Sequence, residues 1–263
     1  MKIALCLHGY FANTGGIKAS VDGHAYIKRK LLDRYDVDVF IHSWDLENKD
    51  LVFSLYNPVE SVFEEQNNFD NEVNEICKSP LFSRNKVFQG LSFLYSRKQA
   101  IQIKTDFEER NGFKYDCVVL ARFDLGQRGK EHPQVYYATN FNFDPKLDMD
   151  YVYSAFWNQM NHGYADHWFF SNSDNMNVVS NLYDKVKEYY KPDSEYVDKV
   201  INGWPDSNGY DQFSNEMFLD KKSLTLKKFS STTCVDNHKL YKWYFIDNGL
   251  YDKSRFVDIT EDR

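Results

Sequence analysis

The chain has 263 residues, a formal net charge of -7 and a pI near 5.5, and 17% of its residues are aromatic, including 19 Tyr and 21 Phe. That length suits one large α/β domain with an appended lobe, and the aromatic content excludes a disordered chain. No strongly segregated basic face is visible, so the acidic balance argues against nucleic acid as a partner. The four cysteines, Cys6, Cys77, Cys117 and Cys234, lie far apart and indicate neither a disulfide framework nor a zinc site. No apolar stretch approaches the roughly 20 residues needed to cross a bilayer, which predicts a cytoplasmic protein without a transmembrane segment.

Ile3 to Leu7 reads as a buried strand, followed by the loop HGYFANTGG and a helix that begins at Ser20 or Asp22 and reaches about Tyr35. Val37 to Ile41 makes a second buried strand, and the strand-helix-strand order predicts a parallel pair with a right-handed crossover. That strand ends in a polar cluster, His42-Ser43-Trp44-Asp45. Residues 46 to 83 are rich in Asn, Asp, Glu and Pro with weak periodicity, which predicts a long excursion holding at most short helices.

From about Arg84 to Arg110, Val87, Leu91, Leu94 and Ile101 recur at helical spacing and predict one long helix, stopped at Asn111-Gly112. Val118, Val119 and Leu120 then form the apolar run of a strand at 117 to 121, covered on both faces. Tyr151 to Trp157 and His167 to Phe170 read as later strands, joined by the polar NQMNHGYAD, a loop placed to cover a site. Ser173-Asp174 caps a helix carrying Met176, Val179, Leu182, Val186 and Tyr190, ended by Pro192. A short helix at Glu216 to Leu219 and edge strands in the tail from 224 onward complete the reading.

Ligands of open α/β sheets bind beyond the carboxyl ends of strands, and Asp124 emerges at such an end. Arg122 and Asp124 alternate around Phe123, so one cation and one carboxylate can face one crevice, suited to a phosphate held directly or through a metal. The plainer alternative is a salt bridge between the two at the strand end.

Four segments appear in a telling order: VDVFIHSWD (37 to 45), YNP (56 to 58), YSRKQAI (95 to 101) and YDCVVLARFDL (115 to 125). In these the chain resembles bacterial and viral glycosyltransferases of the GT-A type. The likeness covers the first half, while HWFFSNSDNMNVVSNLYD (167 to 184) and NEMFL (215 to 219) are similar to later parts of the family only loosely. The resemblance implies a Rossmann-type, mostly parallel sheet flanked by helices, with a nucleotide-binding half over 1 to 125 and a C-terminal acceptor-side lobe over 126 to 263. It also implies transfer of a sugar from a UDP- or GDP-sugar to a hydroxyl of a glycan or lipid-linked acceptor, with inversion expected and retention left open. Peripheral attachment at the inner membrane face stays open, with Lys221-Lys222 to Lys227-Lys228 as the basic segment for it.

The family's central Asp-x-Asp holds a divalent cation on the diphosphate, whereas here Arg122 stands in the first position. Either Asp124 binds Mn²⁺ or Mg²⁺ with other help, or Arg122 itself offsets phosphate charge. Gly9 and Tyr10 are candidates to hold base and ribose, since glycine permits close approach and an aromatic stacks on a base. Ser96, Arg97 and Lys98 fall on the matching helix segment, from which a cation can reach the diphosphate. Asp166, Asp211 and Glu216 are candidates for the base that deprotonates the acceptor, and Trp157, Trp168 and Trp204 for sugar platforms.

Two rival readings stand beside this one. LCLHGYFANTGG has the His-Gly turn of an α/β-hydrolase, yet the nearest nucleophile elbow, Gly90-Leu91-Ser92-Phe93-Leu94, lacks its last glycine and falls in a helical pattern. The other rival is a carbohydrate- or nucleotide-binding module of the same fold without turnover.

Overall fold

The computed structural model describes residues 1–12, 15–126, 139–156, 163–202 and 235–257. β1 (Ile3–Gly9) leads through α1 (Gly16–Ile27), whose end widens into a π-helical turn at Lys28–Leu32, to β2 (Val37–Ser43). α2 (Lys49–Tyr56), β3 (Glu60–Phe63), α3 (Asp70–Ile76), α4 (Arg84–Asn111) and β4 (Cys117–Arg122) follow. The second half supplies β5 (Val152–Ala155), β6 (Trp168–Ser171), α5 (Ser173–Ser180), α6 (Leu182–Tyr189) and α7 (Glu195–Asn202), then α8 (Asn237–Asp247) and β7 (Ser254–Val257).

The seven strands among the described residues join one sheet in the order β3-β2-β1-β4-β6-β5-β7. Only β6 runs against its neighbours: β1 is parallel to β2 and β4, β2 to β3, and β5 to β7. The fold is therefore α/β with a mixed, mostly parallel sheet. The central strands β1 and β4 are almost wholly buried because both faces are covered. Cys117, Val119 and Ala121 of β4 join Ile3, Leu5, Leu7, Val39 and Ile41 under α1 and α2. Val118 and Leu120 face the other way with Ala4, Cys6 and Phe40, beneath α4, α5, α6 and α8.

α4 ends where expected: Gly112 adopts φ +68° and its N–H bonds the Glu108 carbonyl, a left-handed cap suited to glycine. Inside that helix Lys104 is fully buried, donating from Nζ to Glu108 (2.9 Å), Ser173 (2.6 Å) and Asn177 (2.9 Å). The other Glu108 oxygen accepts from the Tyr115 N–H at 2.8 Å, so this network ties α4 to α5 and to the start of β4.

Several expectations change. The 46–83 excursion contains a strand, β3, whose half-exposed edge position hides the apolar signature of a core strand. The first helix starts at Gly16, ahead of Ser20. The helix from Ser173 is broken at Asn181, and its cap is Asn172, which accepts from the Asn175 N–H, while the Ser173 hydroxyl donates to Glu108. Among the described residues of the tail, helix α8 stands where edge strands were expected and β7 is an edge strand, while residues 224–234 lie outside the described residues. Cys6, Cys77 and Cys117 are free thiols. Of the appended lobe, residues 235–257 belong to the main sheet and its helix layer, with Phe169 of β6 against Tyr241 of α8. Among the described residues no helix is long and apolar enough to cross a membrane.

Candidate functional site

In the order β3-β2-β1-β4 the chain winds outward from β1 in one direction and then returns to β4 on its other side. Such a reversal opens a crevice at the carboxyl ends of the two central strands. Gly9 ends β1 and Arg122 ends β4. Because β6 is antiparallel, the residues that enter it, Asp166 and His167, arrive at this same edge.

The loop after β1 is held at two points. Gly9, at φ +95°, donates its N–H to Ser96 Oγ of α4 (2.8 Å) and accepts from Ser43 Oγ of β2 (2.8 Å). Ala12 donates its N–H to Asp45 Oδ2 at 2.7 Å, and Asp45 in turn holds Asn48. Between these anchors Tyr10 stands 46% exposed. Ser96 continues into a buried chain: its Oγ is 2.7 Å from His42 Nδ1, and His42 Nε2 is 3.0 Å from Glu64 Oε1. Burial lowers the His42 pKa, against the opposing pull of Glu64. The FIHSWD segment thus braces the loop, with Trp44 buried against the Tyr95 ring.

Arg122 and Asp124 meet each other: Nε donates to Oδ1 at 2.9 Å and a terminal nitrogen to Oδ2 at 2.6 Å, the paired geometry of a guanidinium on a carboxylate. The Asp124 side chain is 11% exposed and that of Arg122 31%, so the cation is the more accessible partner. Gly23 of α1 lies directly against the Phe123 carbonyl and sets how closely that helix approaches the site.

A second charged group lies behind. Arg97 is 1% exposed, its guanidinium within about 5 Å of the Phe93, Phe169 and Tyr241 rings, and it donates to the Asp166 carbonyl at 2.7 Å. Its Nε and other terminal nitrogen have no hydrogen-bond partner among the described residues, and neither ring nitrogen of His8 has one. His8 touches Phe93 edge to face at 5.2 Å. Burial first, then the charges of Arg97 and Arg122, lower its pKa well below the ordinary histidine range.

The Asp166 carboxylate lies 3.6 Å from Nδ1 of both His167 and His238. Burial would raise the Asp166 pKa, but the positive field of His238, His167, Arg122 and Arg97 outweighs it and brings the carboxyl to about 2. Burial, then the charge of Arg122, hold His167 at about 4. His238 Nδ1 donates to the Tyr164 carbonyl at 2.8 Å. Asp166 and His238 also line a cavity of about 550 Å³ between α4 and the start of α8.

Gly9, Tyr10, Ser96, Arg122 and Asp124 therefore gather at the switch point, with Arg97 and Asp166 behind them. Lys98 is directed elsewhere, paired with Asp184 of α6 at 2.6 Å. Trp168 is core, 1% exposed and stacked on Phe170. Asp211, Glu216, Trp157, Trp204 and the lysines at 221–228 lie outside the described residues. Ser92 sits inside α4, accepting from Gln66, and forms no nucleophile elbow. Sequence reading noted His42 in the polar cluster that ends β2 and His8 in a His-Gly turn, but gave no site role to His167 or His238. His8 carried a signal, as the only titratable side chain besides Cys6 in the apolar run of β1.

The chain is an α/β protein with a mixed, mostly parallel sheet, compatible with a Rossmann-like fold, and a charged crevice at its switch point. Comparison with protein-family models and with curated proteins gives no match.

Proposed function

We propose that the chain is a GT-A-type glycosyltransferase that takes a sugar from a UDP- or GDP-sugar and passes it to a glycan or lipid-linked acceptor. The observation that carries this reading is the convergence at the switch point of a twice-anchored loop with an exposed Tyr10 and a half-exposed Arg122. Tyr10 offers a face for the base, the Gly9 backbone close approach to the ribose, and Arg122 a charge for the departing diphosphate.

Among the described residues no group of three or more His, Cys, Asp or Glu is arranged to hold a metal, and both Asp124 oxygens are engaged by Arg122. These residues do not fit a cation held by the protein alone, and no step here is routed through one. An incoming phosphate competes instead with Asp124 for Arg122.

At the acceptor side, a carboxyl as acidic as Asp166 is a weak proton acceptor. It suits the role of steadying the charge on His238. With Nδ1–H bonded to the Tyr164 carbonyl, Nε2 is the basic nitrogen of the neutral ring. As the acceptor oxygen bonds the anomeric carbon and the diphosphate leaves with the electrons of the broken bond, the hydroxyl proton passes to the Asp166–His238 pair.

A thermal-shift screen of UDP and GDP with and without Mn²⁺ tests the donor site, since a ligand bound only by the native state raises the melting temperature. Slow hydrolysis of the cognate sugar nucleotide separates an enzyme from a binding module. Asp124→Asn removes the competitor for Arg122, so metal-free nucleotide binding tightens; if Asp124 holds a cation, the Mn²⁺-dependent part of the shift disappears instead. No change of either kind refutes its assignment.

A further inference from the structure

We infer that the cavity between α4 and the start of α8 is a binding site for an uncharged sugar ring. Its volume of about 550 Å³ falls within the few hundred to about 1,000 Å³ usual for small-molecule sites. One face of α4 contributes Gln89, Gly90 and Phe93 at helical spacing; Asn237 and His238 come from the first turn of α8, and Asp166 lies at the inner end.

The chemistry of this lining selects the ligand. The amides of Gln89 and Asn237 each offer donors and an acceptor, as sugar hydroxyls require, and neither is given a hydrogen bond to another described residue. The Asp166 carboxylate accepts only, which suits a hydroxyl and repels a phosphate; Asp236 is already engaged, capping the helix through the His238 N–H and paired with Lys239 at 3.7 Å, and Lys86 also lines the cavity. The diphosphate is thereby directed to Arg122 and not here. Phe93 gives the apolar wall on which the C–H face of a pyranose rests. Gly90 keeps the wall thin: a Cβ there would meet Asn237 Oδ1 at 3.6 Å, and Tyr190 Oη and Val235 Cγ1 at 3.7 Å, ordinary contact distances.

The sugar held here is either the acceptor or the sugar of the donor, and that final assignment rests on the transferase reading, whereas the cavity's preference for a pyranose does not. The probes are methyl α- and β-glycosides of glucose, galactose, mannose and N-acetylglucosamine, followed by saturation-transfer NMR on the full chain. At least one is expected to bind, and Gly90→Leu, which fills the space beside Asn237, weakens it about tenfold or more, the scale of one or two lost hydrogen bonds. The nucleoside diphosphate thermal shift stays unchanged in that variant. Should Gly90→Leu fail to fold, the double variant Gln89→Ala/Asn237→Ala, which deletes only these unpartnered amides, is expected to show the same loss.

Binding of no glycoside, or binding indifferent to these variants, overturns the inference. A glycoside that binds on top of UDP and of the intact sugar nucleotide identifies an acceptor site; one displaced by the sugar nucleotide but not by UDP identifies the seat of the donor's sugar. Glycoside binding without any nucleoside diphosphate shift upholds the cavity and sinks the donor site, and the reverse pattern does the opposite.

Discussion

Two helical glycines should respond in opposite directions to the same substitution. In an exposed helix interior Gly→Ala gains about 0.8–1.0 kcal/mol from backbone entropy and solvation. At Gly90 of α4 nothing opposes that gain, since the nearest atoms to an added Cβ are at 3.6 and 3.7 Å. At Gly23 of α1 the added Cβ would lie 2.0 Å from the Phe123 carbonyl oxygen, 3.0 Å from its carbon and 3.1 Å from the Asp124 Cα, all main-chain atoms without rotamers to yield. α1 or the end of β4 must recede by about 1 Å or more to restore ordinary contact. Overpacking typically costs about 1–3 kcal/mol, and a 2.0 Å contact with main-chain atoms belongs to the upper part of that range, about 2–3 kcal/mol, so Gly23→Ala is expected to lose about 1–2 kcal/mol net once the helical gain is subtracted. For a chain this size that corresponds to a melting temperature lower by about 2–8 °C, against a rise of about 2–4 °C for Gly90→Ala. Urea unfolding followed by far-UV circular dichroism measures both changes as shifts of midpoint at constant slope. A Gly23→Ala protein as stable as the parent would show that the contact between α1 and the end of β4 is wrong, and a destabilised Gly90→Ala protein would show that the space between α4 and Asn237 is wrong.

Acidification tests the buried histidines. Burial lowers the pKa of His8 and His167 in the folded chain, so below about pH 6.5 the unfolded chain takes up protons that the folded one refuses, and stability present above that pH is lost as pH falls. Stability should fall progressively as pH drops from 6.5 to 5, and His8→Asn should flatten that dependence in urea titrations; an unchanged profile would show that His8 takes up its proton in the folded chain. Lys104→Met strands the buried Glu108 carboxylate and should cost about 3–5 kcal/mol, with partial recovery in Lys104→Met/Glu108→Gln; a mild single variant would show that Glu108 is solvated. Ser96→Ala leaves the Gly9 N–H and His42 Nδ1 without their shared partner. It should destabilise by about 1–3 kcal/mol and shrink the nucleoside diphosphate thermal shift, and retention of the full shift would show that the loop does not need this anchor.

What the sequence disclosed follows from burial. β1, β2 and β4 are covered on both faces, so their apolar runs stand out, and the long α4 announces itself through Val87, Leu91, Leu94 and Ile101 and its glycine cap. β3 escaped notice because Glu60, Ser61, Val62 and Phe63 lie at the sheet edge, none of them fully buried. α8 misled for the opposite reason: from Lys239 to Phe245 every residue is buried, so aromatics and lysines alternate without an amphipathic stripe. The Arg122–Asp124 pair was visible as residues, and so was the plainer alternative in which they bond each other. The group around Asp166 was not, because His8, Arg97, His167 and His238 come from four distant segments, and the antiparallel entry of β6 that unites them is a property of topology.

The two arginines at the end of β4 differ in what they can do. Arg97 is enclosed by three rings and tied to the Asp166 carbonyl, so it can supply a fixed field but cannot swing to meet a ligand. Arg122 has a partly exposed side chain, and its partner Asp124 is bound to nothing else among the described residues. An anion arriving at the crevice can therefore take Arg122 from Asp124 only by matching the two hydrogen bonds it breaks, which favours a phosphate, with several oxygens, over a single hydroxyl or carbonyl. On the far side, the field of His238, His167, Arg122 and Arg97 keeps Asp166 ionised and unsuited to face a phosphate. One arginine that yields and one that does not thus divide the edge of the sheet into an anion side and a hydroxyl side, the polarity that transfer from a charged donor to a neutral acceptor requires.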